Sequence, residues 1–178
     1  MRASPLIVWQ GASLNGYTTN NKKEISMINL KTATSEEITK IIPFLKIFSS
    51  LNEKIYRWTG GRLLGKLNGR DVMLVTMTGA RSGKTRVIPL MHVPYKDGVI
   101  IVASLGGAPK NPVWFNNLVA HPDIDVQYKS NKMKLRVRRA DTEEKAAVWP
   151  VCCEHYPDYE IYQKRTERDI PVFIAEPR

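Results

Sequence analysis

The chain has 178 residues, 43% of them hydrophobic, which is enough to bury one core, so a single domain is the default expectation. A net charge of +10 and a pI near 9.7 fit either a solvated basic surface or an anionic partner, and leave nucleic acid, an acidic membrane surface and a charged small molecule open. No apolar run approaches the roughly 20 residues of a membrane span, no repeat signals a solenoid or propeller, and the adjacent Cys152 and Cys153 suit neither an ordinary disulfide nor zinc.

Residues 1–30 read as a weakly ordered extension, with Met27 a candidate alternative start. The apolar stretch Pro5-Leu6-Ile7-Val8-Trp9 is too short for a signal-peptide core. Thr34-Ser35-Glu36-Glu37 resembles a capping box, in which a hydroxyl and a carboxylate satisfy the first free amides of a helix. Beyond it Ile38, Ile41, Ile42, Leu45, Phe48, Leu51, Ile55 and Trp58 recur every three or four residues. That spacing predicts an amphipathic helix over 36–58, kinked where Pro43 lacks an amide hydrogen. Lys40, Lys46, Lys54 and Arg57 fall among these positions, so the helix either packs on its own domain or lies on an acidic membrane surface.

At Val72 the period changes to that of strands. The continuous run 72–78 suits a strand covered on both faces, and 86–93 suits a second with Pro89 at an edge or bulge. Lys96-Asp97-Gly98 supplies a hairpin turn into a third strand over 99–104. A short helix over 111–120 precedes two alternating strands, 124–128 and 132–138, joined by Ser130-Asn131 and turning a basic face outward. Asp141 then caps a helix that Pro150 should interrupt, with helix resuming through Tyr162, and 172–175 is a last strand. Six strands and a few helices predict an α+β domain whose sheet closes into a small barrel.

Three segments carry candidate chemistry. In Thr78-Gly79-Ala80-Arg81-Ser82-Gly83-Lys84-Thr85-Arg86, two glycines permit an amide nest while Arg81, Lys84 and Arg86 supply charge for phosphate. The GxxxxGK[ST] spacing of a Walker loop is absent, and the ordinary alternative is a basic hairpin turn. In the stretch 103–117, Gly106 and Gly107 allow close backbone approach, Lys110 can meet an anion, and Trp114 and Phe115 offer flat apolar faces. Tyr156, Tyr159 and Tyr162, spaced by three beside His155, form a face of phenols that can donate to a substrate oxygen or simply pack. His92, His121 and His155 lack metal-ligand spacing.

Taken in order, these segments with Trp149-Pro150 and Ile170-Pro171-Val172 resemble the deazaflavin-dependent nitroreductase and quinone reductase family, whose members use coenzyme F420, an 8-hydroxy-5-deazaflavin. The resemblance runs from about Tyr56 to Pro177 and implies a split β-barrel of the flavin-reductase type, with flanking helices, as one domain over 31–178. It assigns the coenzyme's phosphate and tail to Ala80, Arg81 and Ser82 and to the strand Arg86, Val87, Ile88, Pro89, Leu90 and Met91. Val102, Ala103, Ser104 and Leu105, with Val113, Trp114, Phe115, Asn116 and Asn117, would line the ring, and Lys84 and Lys110 would attract the anionic tail. Tyr156, Tyr159 and Tyr162 match the substrate-side tyrosines, Tyr159 also bordering the coenzyme. Phe115 stands where the family often has tyrosine, and Ala80 and Leu105 where it often has basic or polar residues.

The implied reaction is hydride transfer from the reduced coenzyme to a quinone, nitroaromatic or activated alkene, with Tyr156 and Ser104 as the catalytic pair at the acceptor oxygen. The same barrel holding flavin mononucleotide is the first alternative. A nucleic-acid-binding barrel using the basic face over 132–139 is the second, although RNP-type, helix-turn-helix and zinc signals are missing, so no nucleic acid partner is expected. The expected location is the cytoplasm, with the 36–58 helix as a peripheral contact at the inner face of the cell membrane.

Overall fold

The computed structural model describes residues 56–61, 65–67 and 69–178. The expectations for the 1–30 extension, the Thr34 capping box and all but the end of the 36–58 helix lie outside these residues. Residues 56–59 are helical, and the buried Tyr56 fixes them to the sheet. Its hydroxyl donates to the Val72 carbonyl at 2.8 Å and accepts the Lys129 amide at 3.0 Å.

Eight antiparallel strands follow in a mixed α/β arrangement: β1 (Lys66–Leu67), β2 (Arg70–Thr78), β3 (Thr85–Met91), β4 (Val93–Tyr95), β5 (Gly98–Val102), β6 (Asp123–Tyr128), β7 (Asn131–Arg139) and β8 (Val172–Pro177). The hydrogen-bonded order is β1-β2-β6-β7-β8-β5-β4, with β3 also on β2. The expected strand 86–93 is therefore two strands. The chain breaks at His92, whose amide leaves the ladder to donate to the Asp71 carbonyl at 2.9 Å. β3 stays with β2 while β4 crosses to β5. Pro89 sits opposite Leu74 on β3, which has β2 alone as its ladder partner, so the missing amide breaks no second ladder.

Alternation along β5 and β8 builds two cores. Val99, Ile101, Phe173 and Ala175 face inward with Met73, Val75, Ile124 and Leu135. Ile100, Val102, Val172 and Ile174 face outward beneath helices α2 (Thr142–His155) and α3 (Asp158–Arg165), meeting Val148, Cys152, Tyr156 and Tyr159. Burial on both faces explains the unbroken apolar run of β5, each such side chain contributing about 1.5–3 kcal/mol. Gly98 opens β5 because a Cβ there would lie 1.9 Å from the Ala175 carbonyl oxygen.

The turn between β6 and β7 is Lys129-Ser130, one residue earlier than expected, with Lys129 taking the left-handed conformation at φ 54°. The basic face of β7 does point outward, but acids neutralise part of it. Arg136 pairs with Asp123 at 2.7 Å and Arg138 with Glu144 at 2.7 Å.

α2 begins with a reciprocal capping box: the Asp141 carboxylate accepts the Glu144 amide at 2.8 Å, and the Glu144 carboxylate accepts the Asp141 amide at 3.2 Å. Pro150 does not interrupt this helix. It lies on the exposed face, where water can satisfy the carbonyl it leaves free, while buried Val148 and Cys152 anchor the turns on either side. No described helix is long and apolar enough to cross a membrane.

Candidate functional site

The turn from β2 to β3 is closed by its own backbone. The Gly79 amide donates to the Lys84 carbonyl at 2.9 Å and the Gly83 amide to the Gly79 carbonyl at 2.8 Å, with Gly83 at φ 63°. The Lys84 amide reaches the Ser82 hydroxyl at 3.3 Å, and the Ala80 amide reaches the Asn117 side-chain oxygen at 2.9 Å. The expected nest is thus smaller than the glycines suggested, with only the Arg81 and Ser82 amides in the turn free of a protein acceptor. Arg81, Lys84 and Arg86 are exposed, and among the described residues no carboxylate pairs with them. Three cations without counter-charges on one turn attract a polyanion.

Asn117 belongs to helix α1 (Val113–Ala120), which Pro112 starts. Its amide nitrogen also meets the Met77 sulfur at 3.7 Å, so α1 is docked against the end of β2. Trp114 and Phe115 lean on the inner core alongside Ile88 and Leu90 of β3, and the Phe115 and Phe173 rings lie 5.4 Å apart. Val113 and Asn116 face solvent.

Between β5 and α1 the chain makes a tight turn, Leu105–Gly107, with three successive left-handed residues at φ 46°, 65° and 80°. A Cβ on Gly107 would lie 2.7 Å from the Tyr162 carbonyl oxygen, so glycine is required there. Leu105 holds this conformation without that freedom. Two arginines that the sequence reading passed over secure the turn. Arg165 donates to the Gly106 carbonyl at 2.7 Å. Arg168 donates to the Ser104, Ala108 and Ala103 carbonyls at 2.7, 2.8 and 3.1 Å and to the Asn111 side-chain oxygen at 2.9 Å. No motif marks an arginine that clamps backbone.

Tyr156 caps α2, and α3 carries Tyr159 and Tyr162. The Tyr156 and Tyr162 hydroxyls are 3.2 Å apart, and the Tyr156 and Tyr159 rings meet edge-on at 5.0 Å. Burial, then the Tyr162 hydroxyl and the Asp158 carboxylate, hold the Tyr156 phenol above its usual range. Burial, with smaller pushes from Cys152, Tyr162 and Cys153, keeps Tyr159 well above it, and Tyr162 is raised mainly by burial. All three phenols therefore stay protonated at neutral pH. Val102 and Met91 share their cluster, which brings the end of β3, the end of β5 and the tyrosines together. Ser104 is half-buried with its carbonyl held by Arg168, and Lys110 is exposed and unpaired with any described carboxylate.

His92 and Tyr128 stack in parallel with centroids 3.5 Å apart, and the Tyr128 hydroxyl donates to Asp71. Burial pushes the His92 imidazole down to about 4. Among the described residues, no group of three or more His, Cys, Asp or Glu could hold a metal ion.

Residues 49–177 match the model of a family described as F420H(2)-dependent quinone reductase. The chain is 38% identical to a putative F420H(2)-dependent quinone reductase of Mycobacterium tuberculosis over 106 residues, 60% of this chain and 89% of that protein. It is 32% identical to an F420H(2)-dependent quinone reductase of the same organism over 132 residues, 72% of this chain and 89% of that one. Among solved structures, it is 42% identical to an F420-H2 dependent reductase (FDR-A), covering 59% of this chain and 93% of that one with a TM-score of 0.56. A structure described as a domain-swapped dimer is 38% identical, covering 71% of this chain and 96% of that one with a TM-score of 0.58.

Proposed function

The chain belongs to the F420H(2)-dependent quinone reductase family, and from that premise we propose that it is an oxidoreductase passing hydride from reduced coenzyme F420 to a quinone. The observation that carries this reading is the bond from the Ala80 amide to Asn117, which joins the unneutralised Arg81, Lys84 and Arg86 turn to the aromatic helix α1. A polyanionic tail and a flat ring are the two halves of a deazaflavin coenzyme, and this pairing fits both.

In this reading Arg81, Lys84, Arg86 and Lys110 hold the tail, while Ser82 and Arg81 offer their open amides to phosphate. Ala80 and residues 87–91 of β3 form one wall, and 102–105 with 113–117 border the ring. When bound, the coenzyme supplies the hydride, and the protein supplies position and electrostatics. Tyr156, supported by Ser104, donates a hydrogen bond to the acceptor oxygen where charge develops. Tyr162 orients that hydroxyl from 3.2 Å, while Tyr159 packs both rings in place.

We read the sheet as a split barrel, because β3 and β4 occupy different places on the ladder yet are one chain path through His92. Residues 31–178 then form one domain, with 1–30 an extension. Nitroaromatics serve as surrogate acceptors for the same donor geometry in this reading. The 36–58 segment would bring a cytoplasmic enzyme to the inner membrane face, where lipid quinones lie; vesicle co-sedimentation that persists without that segment would remove this part. The domain-swapped relative makes dimerisation the first oligomeric state to test.

The test is a fluorescence titration of purified protein with coenzyme F420 and, separately, flavin mononucleotide, followed by menadione reduction. Binding of the deazaflavin with turnover supports the reading. Binding of the flavin alone replaces it with a flavin-dependent barrel, and binding of neither removes it.

A further inference from the structure

We infer that Arg168 is a positioning residue that sets the 103–111 loop for the coenzyme and locks it to the tyrosine-bearing helix α3, an inference that rests on the coenzyme reading above. Four of the five guanidinium hydrogens are spent on this one loop, three on carbonyls and one on Asn111. The acceptors span both ends of the left-handed turn Leu105–Gly107, so the planar fork holds a backbone shape that Leu105 does not favour by itself. Among the described residues no carboxylate pairs with Arg168. Burial lowers the guanidinium's pKa, and the Asp169 carboxylate offsets that only in part, so the four loop acceptors carry most of the compensation for desolvating it.

The anchor behind the fork points the same way. The Arg168 carbonyl accepts the Gln163 side-chain amide at 2.9 Å, and the Gln163 side-chain oxygen accepts the Ile170 amide at 3.0 Å. Gln163 follows Tyr162 on α3, and Gly107 packs under the Tyr162 carbonyl. The loop expected to face the coenzyme and the helix expected to face the acceptor are thus one unit, cross-linked through Arg168.

The experiment compares the wild type with Arg168→Lys, Arg168→Ala and Asn111→Ala in two measurements. The first is amide hydrogen exchange over 103–111 in the coenzyme-free protein, and the second is coenzyme F420 binding by fluorescence, with and without millimolar free guanidinium. Expected are faster exchange confined to the loop, coenzyme affinity lower by about tenfold in both Arg168 variants, and a two- to threefold loss in Asn111→Ala. Guanidinium, but not methylammonium, should recover affinity in Arg168→Ala. Unchanged affinity in folded variants, whatever the exchange rates, overturns the inference. If Arg168→Ala does not fold, Arg168→Lys and Asn111→Ala decide in the same way. A wild type that does not bind the coenzyme sinks the functional reading and this inference with it, whereas a binding wild type with indifferent variants sinks the inference alone.

Discussion

The side-chain oxygen of Asn117 accepts the backbone amide of Ala80 at 2.9 Å, tying a helix to a turn 37 residues earlier in the chain. Asn117→Ala should therefore cost about 1 kcal/mol of stability and loosen the turn, weakening coenzyme binding several-fold. Asn117→Asp keeps an acceptor for Ala80 but sets a negative charge beside the turn that carries Arg81, Lys84 and Arg86. It should weaken binding more than the alanine variant while costing less stability. Titration and thermal melts on the two proteins would show whether affinity and stability separate in this way.

Because Arg81, Lys84 and Arg86 have no described counter-ion, their contribution should be screened by salt. Coenzyme affinity should fall as ionic strength rises from low to about 0.5 M, where the Debye length is only a few ångströms. Lys84→Ala should lower affinity a few-fold and flatten that dependence. Equal salt dependence in a variant lacking all three cations would move the tail elsewhere.

Tyr156→Phe removes the hydroxyl and keeps the ring. Turnover with menadione should drop on the order of tenfold to a hundredfold while coenzyme affinity stays nearly constant. Equal loss of both would assign Tyr156 to the coenzyme side. Since its phenol lies above the usual range, this tyrosine should add no alkaline limb to the rate profile below about pH 10.

His92 gives a stability prediction with a defined sign. Its imidazole titrates near 4 in the fold and near 6.5 when unfolded, so the unfolded chain binds the extra proton between those values. Stability is thus full above about pH 6.5, falls as pH drops toward 4, and changes no further from this group below that. His92→Phe keeps the stack on Tyr128 and should lose most of the Tm difference between pH 7 and pH 5. The paired carboxylates act lower: Asp71 and Asp123 are held below their usual range, Asp71 chiefly by Tyr128 and Asp123 chiefly by Arg136.

Gly98→Ala should be far more damaging than its small size suggests. The new methyl would overlap the Ala175 carbonyl at 1.9 Å, and relief requires parting β5 from β8. A loss above about 3 kcal/mol, seen as little folded protein or a large fall in Tm, is the expected result.

Strand periodicity and turn residues made most of the sheet legible in the sequence. The alternation of Leu135 and Val137 with Lys134, Arg136 and Arg138 gave β7 its faces, and Asp141 with Glu144 announced the start of α2. The break at His92 was not legible, because Met91, His92 and Val93 read as continuous strand and only the change of partner from β2 to β5 separates them. Pro150 misled because a proline's effect depends on which face it occupies, which local pattern does not reveal. At the site, the charges and tyrosines were visible as residue types. Arg168 was not, since its four acceptors lie about 57–65 residues away and three of them are backbone carbonyls with no side-chain signature.

The wall formed by β5 and β8 has a consequence for how such an enzyme can diversify. Its inward residues, such as Val99 and Phe173, answer to the inner core and α1, whereas Ile100 and Ile174, one step along, answer to the floor beneath the tyrosines. Substitutions on the second set can reshape the tyrosine cluster without disturbing the packing of the first. A lineage could therefore retune the pocket the tyrosines line by repacking that floor, while the other face keeps its packing unchanged.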